Sequence, residues 1–274
     1  MPGAVVTGAG SGLGRAIAVE LAGRAFIVLA TDVDPEAAAG TAAAIGNGAT
    51  SLGLDVRDQA ACRAAAAAAI ARGGPLDLWV NNAGVLATGN SWEQDAETRG
   101  AMLEVNAIGT MNGTIAALEK MVASGSGQVI NVISLAGLVA APGEVNYSAS
   151  KHAAIAFTLG TLFDLRRAGH RGIELCAVCP DGIWTPMLED KLDDPDAAGS
   201  FSGSLLTPER VAKAIGSLTE KPRPLLVIPR WRGAALRFFD TFPRLGLKLL
   251  PLVMADARRR QRRYKRLIEA GRWP

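Results

Sequence analysis

Four glycines at every second position set the first constraint on this chain. The short apolar run Ala4-Val5-Val6-Thr7 leads into Gly8, Gly10, Gly12 and Gly14, and Ile17 and Leu21 then start a helical period. Glycines in such a turn accept positive φ and let a ligand approach the backbone closely. The helix that follows offers free N–H groups and the positive end of its dipole to an anion. A second apolar run, Phe26 to Ala30, ends at Thr31-Asp32, and Asp32 lies eighteen residues beyond Gly14. That is where a dinucleotide-binding unit sets a carboxylate to accept from the adenosine ribose hydroxyls.

Strand-like runs recur at 51–54, 76–80, 129–133, 174–178 and 225–228, each followed by helical composition. Short apolar strands alternating with helices predict a parallel sheet covered on both faces. The alanine-rich stretch 59–72 is a strong helix former and reads as a packed amphipathic helix. No internal repeat and no linker precedes residue 229, so residues 1–229 read as one domain and residues 230–274 as a basic helical extension. Nothing at the start reads as a signal peptide, since Ala4-Val5-Val6 is too short. No apolar run approaches a membrane span, and a cytoplasmic protein is expected. Cys176 and Cys179 have CxxC spacing but sit in a strand-like run, where positions three apart face opposite ways. With no second pair and no nearby histidine they read as buried, reduced thiols, and no metal site is expected.

Tyr147 and Lys151 lie four apart, so on a helix both side chains emerge from one face. A phenol titrates near 10 and does little proton transfer at neutral pH. An ammonium about 4 Å away, at an effective dielectric near 20, favours the phenolate by roughly 4 kcal/mol before desolvation opposes it. That would bring a tyrosine into the range of general acid–base work. Ser134, at the end of an apolar run, would hold a substrate oxygen beside the phenol.

The glycine turn from Thr7, Asp55-Val56, Asn81-Asn82-Ala83-Gly84, Asn106, Ser134 and Tyr147-Ser-Ala-Ser-Lys151 occur in one order. In that order they resemble the short-chain dehydrogenase/reductase family over residues 4–228. The resemblance implies a Rossmann-type, doubly wound sheet of seven parallel strands that binds NAD(H) or NADP(H). It implies cofactor contacts from Gly8, Ser11, Gly12, Leu13, Gly14, Asp32, Asp55, Val56, Asn82, Ala83, Gly84, Pro180, Ile183 and Thr185, together with Tyr147 and Lys151. Asn106, Ser134, Tyr147 and Lys151 match the catalytic tetrad. Tyr147 would be base for alcohol oxidation and acid for carbonyl reduction. Lys151 would lower its pKa and bind the nicotinamide ribose. Ser134 would hold the substrate oxygen, and Asn106 would keep a water in the proton relay behind Lys151. A homodimer or homotetramer is also implied.

Asp32 would repel the extra phosphate of NADP, and neither Thr31 nor Val33 compensates, so NAD(H) is the expected cofactor. Arg15 reads as an exposed first-turn residue. Where many relatives carry Pro-Gly after the sixth strand, this chain has Pro180-Asp181. Asp181 reads either as a tolerated turn variant or as part of the substrate pocket. Residues 187–206, rich in Asp, Gly, Ser and Pro, fall where the family carries a mobile lid. The expected pocket wall, with Leu135, Ala136, Val145, Trp184 and Met187 as substrate contacts, is mostly apolar. The expected substrate is therefore a lipophilic secondary alcohol or ketone, a class that includes steroid-like, terpenoid and aromatic molecules. A dinucleotide-binding sensor or scaffold without catalysis is the alternative.

From Arg230 onward there are thirteen Lys/Arg against three Asp/Glu, a net +10, so the rest of the chain carries −7. Ala235, Phe238, Phe239 and Phe242 form a helical apolar face, and Leu245, Leu249, Leu252 and Val253 form a second stripe. Such helices with a basic flank suit the surface of an anionic membrane. They equally suit packing on the core or on a neighbouring subunit with the basic run solvated. Nucleic acid is not an expected partner, since no recognition fold accompanies the basic run.

Overall fold

The computed structural model describes residues 1–71 and 74–273. Seven parallel strands form one sheet in the order β3-β2-β1-β4-β5-β6-β7. They are β1 (Gly3–Thr7), β2 (Ile27–Asp32), β3 (Thr50–Gly53), β4 (Leu76–Asn81), β5 (Gly127–Val132), β6 (Ile173–Pro180) and β7 (Leu225–Ile228). The helices between them are α1 (Gly12–Gly23), α2 (Pro35–Ile45), α3 (Gln59–Ile70), α4 (Ala96–Leu103), α5 (Gly109–Ser124), α6 (Val145–Arg167), a short α7 (Pro186–Glu189) and α8 (Pro208–Ser217). Two more, α9 (Arg230–Thr241) and α10 (Pro243–Glu269), follow the last strand. The alanine-rich helix ends at Ile70, and Arg72, in the expected stretch, lies outside the described residues.

Strand side chains alternate between two apolar layers, as a sheet buried on both faces requires. Val6, Val80, Ile130 and Cys176 pack on one face against Ile17 and Leu21 of α1 and Val211 and Ile215 of α8. Val5, Trp79, Val129 and Leu175 pack on the other against α3, α5 and α6. Cys176 and Cys179 fall on opposite faces, both buried and free. Small residues allow α5 to sit close to the sheet. A Cβ at Gly113 would lie 2.1 Å from Asn81 Oδ1, and one at Gly109 2.5 Å from Val56 Cγ2. Beneath Gly113, Asn81 accepts from Trp79 Nε1 at 2.7 Å and donates to Asn131 Oδ1 at 2.8 Å.

The C-terminal helices lie against the rest of the molecule. A Cβ at Gly233 would come within 2.4 Å of Val227 Cγ1, so α9 closes directly on β7. The second half of α10 packs on the 187–206 segment. Gln261 donates to the Lys191 and Asp194 carbonyls, Tyr264 Oη accepts from Leu205 N at 3.1 Å, and Lys265 pairs with Asp193. Tyr264 and Trp273 complete a small core with Leu188, Phe201 and Leu205. The first half of α10 is largely exposed. Among the described residues, no helix is long and apolar enough to cross a membrane.

Candidate active site

The strand order reverses between β1 and β4, and a crevice opens at the carboxyl ends of the strands there, as such sheets require. It is part of a cavity of about 940 Å³ lined by residues following β1 to β6 and by the C-terminal helices. The glycine turn forms part of its lining. Gly8 and Gly12 take φ of +63° and +49°, and a Cβ at Gly14 would stand 1.9 Å from the Gly8 carbonyl oxygen. Asn82 locks this turn to β4, its Nδ2 donating to the Thr7 and Gly8 carbonyls at 3.1 Å. Asp34 and Asp58 cap α2 and α3 through their side chains, whereas Ser11 makes no such bond at the start of α1. Ser11, Gly12, Leu13 and Gly14 all line the cavity, so the open end of α1 faces into it. An uncapped amino terminus beside glycines that exclude any Cβ fits a pyrophosphate.

Asp32, also lining the cavity, accepts from Gly10 N at 2.8 Å and from Asp34 N at 3.1 Å. Arg15 is exposed and turns back onto Gly10 O and Thr41 Oγ1. Asp55 lines the cavity with Val56, and its hydrogen bonds from Arg57 hold its carboxyl below the ordinary range.

Ser134, Tyr147 and Lys151 converge on the same cavity, with Ser134 hydrogen-bonded to the Tyr147 phenol. Tyr147 and Lys151 occupy successive turns of α6, and Lys151 Nζ lies 5.5 Å from the centre of the phenol ring. Burial pushes the ammonium of Lys151 down to about 8. Burial pushes the Tyr147 phenol up, Glu144 adds in the same direction, and a hydrogen bond with Ser134 opposes both. Thus the protein's own groups hold this phenol above its ordinary value, against the lowering expected of Lys151. Asn106 is fully buried behind them and does not line the cavity. It sits in a π-helical turn, Glu104–Ile108, joining α4 to α5, a distortion found often at functional sites. Its side chain exchanges hydrogen bonds with both backbone groups of Val85, at 2.8 and 2.9 Å, and donates to Ser150 Oγ at 3.0 Å.

The remaining expected cofactor positions, Ala83, Gly84, Pro180, Ile183 and Thr185, line the same cavity, as do Leu135, Ala136, Val145 and Met187. Trp184 does not: it turns into the small core of the 187–206 segment, where Leu188 and Phe201 shield its ring. Sequence reasoning missed the outer wall, made by Leu236 and Phe239 of α9 and Leu250 and Met254 of α10. The stripe Pro243, Gly246, Leu250, Val253 at helical spacing was the available signal. It also missed that Asp181 has a partner. Arg232 Nε stands 2.7 Å from Asp181 Oδ2, Asp181 is buried and Arg232 mostly so, and Arg232 donates to Ser202 Oγ.

Residues 3–196 match the family model described as short chain dehydrogenase. SadH, an oxidoreductase by name, of Mycobacterium tuberculosis is 34% identical over 98% of this chain and 94% of its own length, a span that takes in the C-terminal helices. The 2-(R)-hydroxypropyl-CoM dehydrogenase of Xanthobacter autotrophicus is 37% identical over 70% of this chain and 79% of that protein. Among solved structures, a 3-ketoacyl-(acyl-carrier-protein) reductase from Brucella melitensis complexed with NADH is 27% identical. It superposes with a TM-score of 0.73 over 82% of this chain and 95% of that one. On the seven-stranded fold, the converging motif residues and these likenesses, the chain belongs to the short-chain dehydrogenase family.

Proposed function

We propose that the protein transfers hydride between NAD(H) and a lipophilic secondary alcohol or its ketone. The observation that carries this reading is one cavity lined together by Ser134, Tyr147 and Lys151, by the open end of α1 with Asp32, and by an apolar wall from α9 and α10. Gly8, Ser11, Gly12 and Leu13 hold the pyrophosphate, and Ile183 and Thr185 flank the nicotinamide. When bound, the nicotinamide supplies the hydride acceptor or donor. Ser134 fixes the substrate oxygen beside the phenol. In oxidation Tyr147 takes the hydroxyl proton, and in reduction it gives one to the carbonyl oxygen. Lys151 holds the nicotinamide ribose, and its charge favours the phenolate. Asn106, pinned by Val85 and Ser150, is a positioning residue that keeps a water in the relay behind Lys151.

Asp32 faces the ribose hydroxyls of NAD and would repel the extra phosphate of NADP, a repulsion that Arg15, turned away, does not relieve. Initial rates over a panel of alcohols and ketones with both cofactors test the whole reading. Turnover of apolar secondary alcohols with NAD is expected, and Tyr147→Phe should lower kcat by about 10²–10⁴ while NADH binding persists. Comparable kcat/KM with NADP would overturn the cofactor choice. NADH binding without turnover of any member would favour a sensor or scaffold.

The same reading takes the chain as a homo-oligomer, dimer or tetramer. Ile108, Val122 and Phe163, apolar and exposed on the α4–α6 side, support it, and sedimentation would measure it. It acts in the cytoplasm, a compartment that suits its three free thiols. Peripheral membrane contact runs through the exposed half of the extension.

A further inference from the structure

The helices that close the cavity have a second, solvent-facing side. Gly246, Leu250 and Met254 of α10 point inward at intervals of four, one face of a helix. Leu245, Lys248, Leu252 and Arg259 run along another stripe, where Leu252 is 70% exposed. Trp231 and Phe238 of α9 and Phe242 at its junction with α10 are each at least half exposed, and the Phe238 and Phe242 rings pack 5.0 Å apart. Leu247 and Val253 belong to both sides: they line the cavity and are themselves exposed. The cavity therefore meets the apolar surface between them. Pro251 lies between the two, and its missing N–H leaves the Leu247 carbonyl without a helical partner at this edge.

Cations are interleaved with these side chains. Arg237, Arg244, Lys248, Arg258, Arg259 and Arg262 are exposed and make no ion pair among the described residues. Aromatic and leucine side chains gain by leaving water, and cations gain beside anionic headgroups. The division of charge, +10 on the extension against −7 on the rest, orients the molecule with this side toward a negative surface. A second copy meeting the same face would bring two +10 surfaces together, which argues for lipid over self-association. Inside the cavity, Arg57 and Arg232 are paired with Asp55 and Asp181. Neither guanidinium is free to hold a substrate carboxylate or phosphate.

We propose that the α9–α10 face docks on an anionic lipid surface, and that a neutral secondary alcohol or ketone dissolved in the lipid enters the cavity between Leu247 and Val253. The route rests on the reading of this cavity as the site of hydride transfer; the docking does not. The test uses the full chain with vesicles of phosphatidylcholine alone and of phosphatidylcholine with phosphatidylglycerol. Co-sedimentation is expected with the anionic vesicles and not with the neutral ones. Arg244→Gln with Lys248→Gln should weaken it about 25-fold, from roughly fivefold per cation. Leu252→Glu with Phe242→Glu, both at exposed positions outside the cavity lining, should abolish it. The acidic pair should also lower kcat/KM for a long-chain secondary alkanol dissolved in the vesicles by at least about tenfold, in line with the lost surface affinity, and leave isopropanol oxidation in solution unchanged. Equal sedimentation of variants and wild type would overturn the docking, as would a variant that alters only the oligomeric state, which would mark a contact between copies. Undiminished turnover of the vesicle-borne alkanol by the acidic pair would overturn the route. Sedimentation that follows the variants, with no alcohol oxidised at all, would sustain the surface and overturn the hydride reading.

Discussion

Glu144 is only 2% exposed, accepts from Ser200 Oγ at 2.6 Å and stands three residues before Tyr147, so it joins the start of α6 to the 187–206 segment. Burial raises its carboxyl from 4.5 to about 7, Ser200 opposes, and Asp194 adds to the rise. Between those values the folded chain keeps a proton that the unfolded chain releases. Stability from this group is complete below 4.5 and is lost as pH rises through about 7. The loss amounts to about 3 kcal/mol. Lys151 works in the opposite sense. Its folded value of about 8, against 10.5 unfolded, makes stability rise with pH across that interval. Thermal melts of wild type and Glu144→Gln at pH 5 and pH 8 separate the two. Wild type should lose stability relative to the variant between those pH values, and parallel curves would refute the assignment. A second residue-scale expectation concerns Gly14. Gly14→Ala must move the Gly8 carbonyl, 1.9 Å from the new Cβ, so NADH affinity measured by fluorescence should fall by at least about tenfold, the 1.4 kcal/mol equivalent of a modest steric shift.

Elements decide what Asp181 does. From sequence, an aspartate in the place of a glycine reads as a turn variant or a pocket residue, because its partner lies on α9, beyond the part of the chain that resembles the family. The paired groups join the end of β6 to α9, and Ser202 ties the 187–206 segment to the same guanidinium. Gly203 is required there, since a Cβ would fall 1.8 Å from Asp181 Oδ2. Burial raises the Asp181 carboxyl, and Arg232 opposes the rise. Removing one partner leaves a buried charge uncompensated, so Arg232→Met should cost about 3–5 kcal/mol in urea unfolding. Asp181→Gly with Arg232→Met should recover most of that loss, and additive effects of the two changes would refute the clasp. The meeting of Tyr147 and Lys151 in the cavity was legible for the opposite reason. Tyr147 and Lys151 declare themselves by spacing within one helix, whereas the π-helical turn that buries Asn106 has no local signal. Trp184 misled because an aromatic beside the Ile183 and Thr185 positions looks like a pocket wall, and only the apolar core around Leu188 and Phe201 draws it away.

Across the whole molecule, the alternation of strands and helices was readable because strand period and helix period differ. The extension was readable as helices but not as walls. Its periodicity names an apolar face without saying whether core, cavity or solvent receives it, and here one helix meets all three. This division bears on a chain ending at Pro229. Such a chain keeps every strand and the glycine turn, but loses the bonds from Gln261, Tyr264 and Lys265 that hold the 187–206 segment. It also loses Tyr264 and Trp273 from the small core around Phe201. That segment then opens with little cost, and limited proteolysis should cut within 187–206 at least about tenfold faster than in the full chain. NADH affinity should change less, because Gly8 to Gly14, Asp32 and Asn82 are held by β1, β2 and β4, which the shorter chain keeps. Tyr264→Phe with Gln261→Leu breaks the same bonds in the full chain and should reproduce part of the faster cleavage. Equal cleavage in all three proteins would mean that the segment is held from the core side alone, by Glu144 and by the backbone bonds of Leu206 with Gly182 and Trp184.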